Sequence, residues 1–145
     1  MITEGRVIQR ISSALAVLVV VLTTSAVCQT KTVKANEPVS SGRPLSQWIA
    51  DLKGLAPQTR NAAAYEIAGM GPAAAAAVPA LIEALDDPVP AVRFPVTIAL
   101  KEIGPAAKAA VPRLTTMVDE EINDEIAASA RRALRHIDPS AVPSP

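Results

Sequence analysis

The sequence is poor in aromatic residues, cysteine, histidine and net charge, and each shortage removes a class of function. Only Trp48, Tyr65 and Phe94 are aromatic, so the core must be aliphatic and no aromatic-lined cofactor pocket is expected. A single cysteine, Cys28, excludes an internal disulfide and a cysteine-based metal cluster. His136 is the one histidine, and its nearest acid, Asp138, lies two residues away on a different helix face. No general base and no zinc or haem ligation is expected from it. The 14 basic and 14 acidic residues cancel. Without a basic excess to meet phosphates, a nucleic-acid interface is not expected.

Other signatures of chemistry fail on spacing. Gly69-Met70-Gly71 ends a helix, whereas phosphate binding needs a glycine turn that begins one. Asp86-Asp87 and Asp119-Glu120-Glu121 lack the alternating ligands of a calcium loop. Serine nucleophiles have no partner histidine. The reading is a protein without catalytic residues, cofactor or metal.

What is present is alanine, valine, leucine and isoleucine: half of the 145 residues are hydrophobic. That length suits one domain, and alanine favours helix and close helix approach. An all-α fold of thin, tightly packed layers is the first expectation.

The amino-terminal segment stands apart. Arg6 and Arg10 precede an uncharged stretch from Ile11 to Cys28, within which Ala14 to Leu22 is continuously apolar. Small residues follow at Thr24, Ser25 and Ala26. A positive start, an apolar core and a small-residue exit are the layout of a secretory signal peptide. Three outcomes are open for residues 1–28. Cleavage and release comes first; next is an uncleaved anchor, in which residues 11–28 just span the roughly 30 Å of hydrocarbon. The third is lipidation at Cys28, since Ser25-Ala26-Val27-Cys28 resembles a bacterial lipoprotein box apart from Val27. Each places the protein outside the cytoplasm: periplasmic, extracellular or membrane-anchored. Residues 29–43, polar and without apolar periodicity, read as a flexible linker. Residues 140–145 read as a disordered tail.

From residue 44 a period appears. Leu45, Trp48, Ile49 and Leu52 are spaced i, i+3, i+4, i+7, which puts them on one helical face. The same skeleton returns as Val78, Leu81, Ile82, Leu85 and as Val111, Leu114, Thr115, Val118. A second skeleton, Val92, Val96, Ala99, Leu100 and Ile103, recurs as Ile126, Ala130, Ala133, Leu134 and Ile137. Thr59, Ala63, Glu66, Ile67 and Met70 form a weaker first copy, with Glu66 where the others have alanine. Gly71-Pro72, Gly104-Pro105 and Asp138-Pro139 close the units, glycine as a left-handed cap and proline as a stop.

The pattern predicts helix pairs 45–55 with 58–70, 79–87 with 91–103, and 112–120 with 124–137. Residues 73–77 and 106–110 serve as short helical or turn links. Pro79 and Pro112 suit a first turn, where a missing N–H costs nothing. Pro95 costs no hydrogen bond if its helix starts near Ala91 and imposes a kink if it starts several residues earlier. Each helix pair has one apolar stripe per helix and cannot bury itself alone, so three stacked pairs are needed to close a core. In the last pair, acids at 119–125 precede the final helix and Arg131, Arg132, Arg135 and His136 end it. The order complements the helix dipole, which favours a capped terminal helix over an acidic docking patch.

The middle unit, VPALIEALDDPVPAVRFPVTIALKEIGP, resembles a HEAT repeat of the type also found in phycobilin lyases. Asp87, Val92, Arg93, Ala99, Leu100, Ile103, Gly104 and Pro105 carry the likeness. The first unit keeps Arg60 but has Lys53-Gly54-Leu55 at the turn. The third keeps Ile126, Ala133, Leu134 and Ile137, with Ala127 for the arginine and Asp138 for the glycine. The resemblance covers residues 44–139. It implies a short, right-handed α-solenoid of three hairpins, 44–72, 78–105 and 111–139. It also implies a structural ladder in which Asp86 or Asp87 pairs with Arg93 or Arg60 across adjacent units. The function it implies is a non-catalytic scaffold for a protein partner at the cell envelope or outside the cell. Alternatives are a tetrapyrrole-binding role like that of the phycobilin lyases, or a membrane-anchored structural component.

Overall fold

A computed structural model describes residues 36–141. The signal or anchor segment with Cys28, the linker as far as residue 35, and residues 142–145 lie outside the described residues. Six α-helices occupy most of the rest: α1 (Leu45–Asp51), α2 (Pro57–Met70), α3 (Val78–Ala84), α4 (Pro90–Ile103), α5 (Val111–Glu120) and α6 (Asp124–Ile137). They form three pairs. In each pair the first helix packs on the second, and α2, α4 and α6 pack on one another as a continuous layer. Leu81, Leu85, Val92, Val96, Leu100, Ile103, Leu114 and Leu134 are all effectively inaccessible within one cluster.

Proline sets the helix starts. Pro57 and Pro90 are first residues of the second helices, while Pro79 and Pro112 sit one residue inside α3 and α5. Their fixed φ suits a first turn whose N–H groups have no helical partner. The first helices end sooner than the apolar pattern implies, α1 at Asp51 and α3 at Ala84. Both tighten at the end: Gly54 N–H donates to Asp51 and Asp87 N–H to Ala84, i to i−3. Pro88 then bars Asp87 from continuing the helix.

Between pairs, 3₁₀ segments at Gly71–Ala77 and Gly104–Ala110 run directly into α3 and α5. Gly71 and Gly104 adopt φ of 55° and 72° with ψ near −140°. This is a glycine conformation but an extended one, not the left-handed helical cap that the sequence suggests. Ala74, Ala77, Ala107 and Ala110 are fully buried, so a small side chain is what lets each link lie against the helices. Pro57–Ala84 is apolar enough to pass for a membrane span by length and composition, but Gly71 breaks it and its apolar face belongs to this core.

Pro95 sits inside α4, which begins at Pro90, and is buried. It therefore removes the bond that residue 95 would make to the Ala91 carbonyl. The helix starts one residue before the expected Ala91, but position 95 lies beyond the first four N–H groups in either case, so the expected sparing of the bond does not hold. Asn61 of the preceding pair replaces it, donating from Nδ2 to that carbonyl at 2.5 Å. Near it, buried Thr97 donates to the Phe94 carbonyl at 2.7 Å and shares a 2.6 Å hydrogen bond with Ser129 of α6. The Asn61–Ala91 and Thr97–Ser129 bonds are the polar contacts between second helices among the described residues.

The first pair departs from the pattern at its outer side. Thr59, aligned with buried Val92 and Ile126, is exposed. Residues 38–44, mostly assigned above to the linker, instead form a hairpin, β1 (Val39–Ser40) paired antiparallel with β2 (Arg43–Pro44). Ser41 and Gly42 turn it with positive φ at both positions, as a two-residue hairpin requires. Ser40 and Ser41 donate to Glu66 at 2.6 and 2.9 Å, which explains a carboxylate where the other pairs have alanine. Trp48 Nε1 donates to the Ser40 carbonyl, and the Arg43 guanidinium stacks 4.0 Å from the Trp48 ring centre. Among the described residues, the hairpin lies on the outer side of the first pair.

Gly69 is an exposed glycine inside α2, and a Cβ there would meet nothing within 4 Å. Gly69→Ala is expected to stabilise the fold by roughly 0.5–1 kcal/mol by restricting the unfolded chain. A rise of a few degrees in the thermal midpoint is the check; a fall would place α2 in another environment.

Candidate functional site

The turns between paired helices concentrate the charge. Arg60, near the start of α2, reaches Asp87 in the next turn with two parallel hydrogen bonds, Nε–Oδ2 at 2.5 Å and Nη2–Oδ1 at 3.0 Å. Its Nη1 donates to the carbonyls of Gly54 and Leu55 in its own turn. Arg93, at the same place in α4, does the same one unit on. It pairs with Glu121 at 2.7 and 2.9 Å and donates from Nη1 to the Asp87 carbonyl at 2.8 Å. Each acid also accepts the backbone N–H two residues later, Val89 for Asp87 and Asn123 for Glu121. One rung thus braces two turns and joins two repeats.

The four ladder residues named from the sequence divide in three ways. Asp87 and Arg60 meet. Arg93 does not meet Asp86 or the Asp87 carboxylate; its acid is Glu121, placed above within a dipole-complementing cluster. Asp86 instead pairs with Arg113 of α5, an exposed contact worth little in water. The ladder has two rungs among the described residues and extends no further at either side. Gly54 holds the position of Asp87 and Glu121 in the first turn, and Ala127 that of Arg60 and Arg93 in α6.

The local fields follow. Burial pushes the Asp87 carboxyl up, but the Arg60 hydrogen bonds, the Val89 amide and the charges of Arg60 and Arg93 together leave it below its ordinary value. Arg93's hydrogen bonds hold Glu121 down against its own burial. The Ser40 and Ser41 hydroxyls hold Glu66 down. Such carboxylates bind protons less readily when folded than when unfolded. Their contribution is complete above the ordinary carboxylate range, about pH 4, and is lost as pH falls through the lower folded values. Thermal midpoints are therefore expected to be flat above about pH 5 and to drop steeply toward pH 2. A profile flat to pH 2 would contradict the rungs.

Because the rungs are saturated internally, the groups open to a ligand lie elsewhere. At one edge Leu55, Pro88 and Ile122 occupy equivalent positions in the three turns, and Leu55 and Ile122 are fully exposed. On the second-helix layer, Tyr65 of α2 and Phe94 of α4 line a cleft of about 290 Å³ with Asn61, Asn123, Glu125 and Ile126. Tyr65 is 48% exposed. Another cleft of about 320 Å³ lies between the second and third turns; Asp86, Asp87, Arg93, Arg113 and Glu121 in its walls pair with protein groups, although Arg113 Nη1 is buried without a hydrogen-bond partner. Among the described residues no group of three or more histidine, cysteine or acidic side chains is placed to hold a metal. His136 is exposed and lies near Gly104 of the preceding link.

Stacked two-helix units, glycine-closed and laddered by arginine, define a helical-repeat protein. The family model for HEAT repeats matches residues 45–135, and the chain belongs to the HEAT-repeat family. Comparison with curated proteins and with solved structures gave no match. HEAT repeats in general serve as protein-interaction scaffolds and are typically non-catalytic.

Proposed function

We propose that this protein is a non-catalytic interaction module of the cell envelope or exterior, a short right-handed α-solenoid that docks a protein partner on its second-helix layer. The observation that carries the reading is the division of labour among side chains. The buried charge pairs are spent on joining repeats, while exposed Tyr65 and half-buried Phe94 line a cleft on the second-helix layer. A stacked array offers such a layer as an extended concave face. The basic start, apolar core and small-residue exit of residues 1–28 support export.

The test uses a photo-crosslinking amino acid in place of Tyr65 or, as control, of exposed Thr116 on α5, in cells that express the full chain. Adducts with a defined partner from position 65 and none from 116 are expected. Equal labelling, or none, would overturn the docking face. Mass spectrometry of the mature amino terminus tests export: a start near Val27 or Gln29 marks release, and a lipidated Cys28 marks anchoring.

A further inference from the structure

The Tyr65–Phe94 cleft has a composition that selects the chemistry of its ligand. Two of the protein's three aromatic residues line it, although they belong to different repeats and lie 29 positions apart. Glu125, exposed in the first turn of α6, supplies a carboxylate from a third element. No basic residue lines the cleft. Asn61 and Asn123 are already engaged: the Asn61 amide donates to the Ala91 carbonyl, and Asn123 Oδ1 accepts the Glu125 and Ile126 amides. That leaves Asn61 Oδ1, Asn123 Nδ2 and the Tyr65 hydroxyl as uncharged polar groups, beside two aromatic rings and a single charge, which is negative.

We infer that the cleft receives a cationic side chain, arginine or lysine, from the partner polypeptide. The inference rests on the interaction reading above and names the residue class that the partner presents. A guanidinium or ammonium over an aromatic face is attracted by the ring quadrupole, and the Glu125 carboxylate adds charge complementarity. Size agrees: about 290 Å³ is at the lower limit for a drug-sized ligand and suits one long side chain with its adjoining backbone. The three contributing helices are fixed relative to one another by the Arg60–Asp87 and Arg93–Glu121 rungs and by the Asn61–Ala91 bond. The backbone frame of the site is thus formed before the ligand arrives, so ordering on binding is confined to side chains such as exposed Tyr65 and Glu125.

The experiment is an NMR titration of the isotopically labelled full chain with four capped tripeptides, acetyl-Gly-X-Gly-amide, where X is arginine, lysine, citrulline or glutamate. Arginine or lysine is expected to move the Tyr65 and Phe94 ring signals saturably, with the two residues ranked by affinity, while citrulline and glutamate bind at least about threefold more weakly. Glu125→Gln, which keeps shape and removes charge, is expected to weaken the cationic peptides about threefold or more without changing citrulline. Tyr65→Leu, at a half-exposed position where folding is readily checked, is expected to weaken both cationic peptides. Equal shifts from citrulline and arginine, or unchanged affinity in Glu125→Gln, would overturn the inference. If cationic peptides do not bind while position 65 still crosslinks to a partner, the cation reading fails and the interaction reading stands. If both are negative, both fail.

Discussion

Leu100→Ala is expected to remove about 3 kcal/mol or more of stability and to end cooperative folding of the array at physiological temperature. Leu100 is fully buried in α4, the helix that packs on α2 on one side and α6 on the other. Deleting its branched end forfeits burial and leaves a cavity in a close-packed interior. A domain of this size has only about 5–15 kcal/mol to lose. In a linear array the middle unit also carries both interfaces, so its loss uncouples the ends. Urea unfolding followed by helical circular dichroism should show a midpoint shift for Leu100→Ala and none for Leu55→Ala, at a fully exposed position. Coincident curves for Leu100→Ala and the parent would contradict the packing.

Asp87→Asn is the second large effect. The change keeps shape and leaves an oxygen for the Val89 amide, but it removes the charge facing Arg60. An amide N–H₂ must then oppose one arm of a guanidinium whose partner side chain was largely buried. Breaking a buried pair by neutralising one member costs about 3–5 kcal/mol in full burial. With both side chains keeping a small exposed fraction, about 2 kcal/mol is expected here. Asp86→Asn next door should change stability by less than about 0.5 kcal/mol, because its pairing with Arg113 is exposed. Equal effects at the two positions would mean that the rung has no special standing.

The contrast between Asp86 and Asp87 also shows where sequence reading stops. Apolar spacing is local, so the six helices, their starts and the three-unit period were legible in it. Ladder pairing depends on which of two adjacent acids faces the previous unit, and that is decided by the turn geometry around Pro88. Glu121 was within reach: the 34-residue step that superposes Val92 on Ile126 also superposes Asp87 on Glu121. Its place in a run of acids hid it, because the dipole argument accounts for the run without assigning a partner. Thr115 was chosen for the third unit's stripe by alignment, while Met117 fills the core there and is 2% exposed. The hairpin at 38–44 was not legible for another reason. Its partners, Glu66 and Trp48, are distant or in the next element, and its stabilisation is hydrogen bonding without apolar periodicity. The same holds for Tyr65 and Phe94: their convergence is a product of stacking and leaves no short-range signal.

A repeated arginine–acid rung couples neighbouring repeats. A double-mutant cycle on Arg93→Met and Glu121→Gln tests it at the rung not foreseen from sequence. The two side chains lie on elements of different repeats and meet through a bidentate pair. A coupling energy of about 1 kcal/mol or more is expected from unfolding curves of the four proteins. Additivity to within about 0.3 kcal/mol would contradict the ladder and leave the repeats held by apolar packing alone.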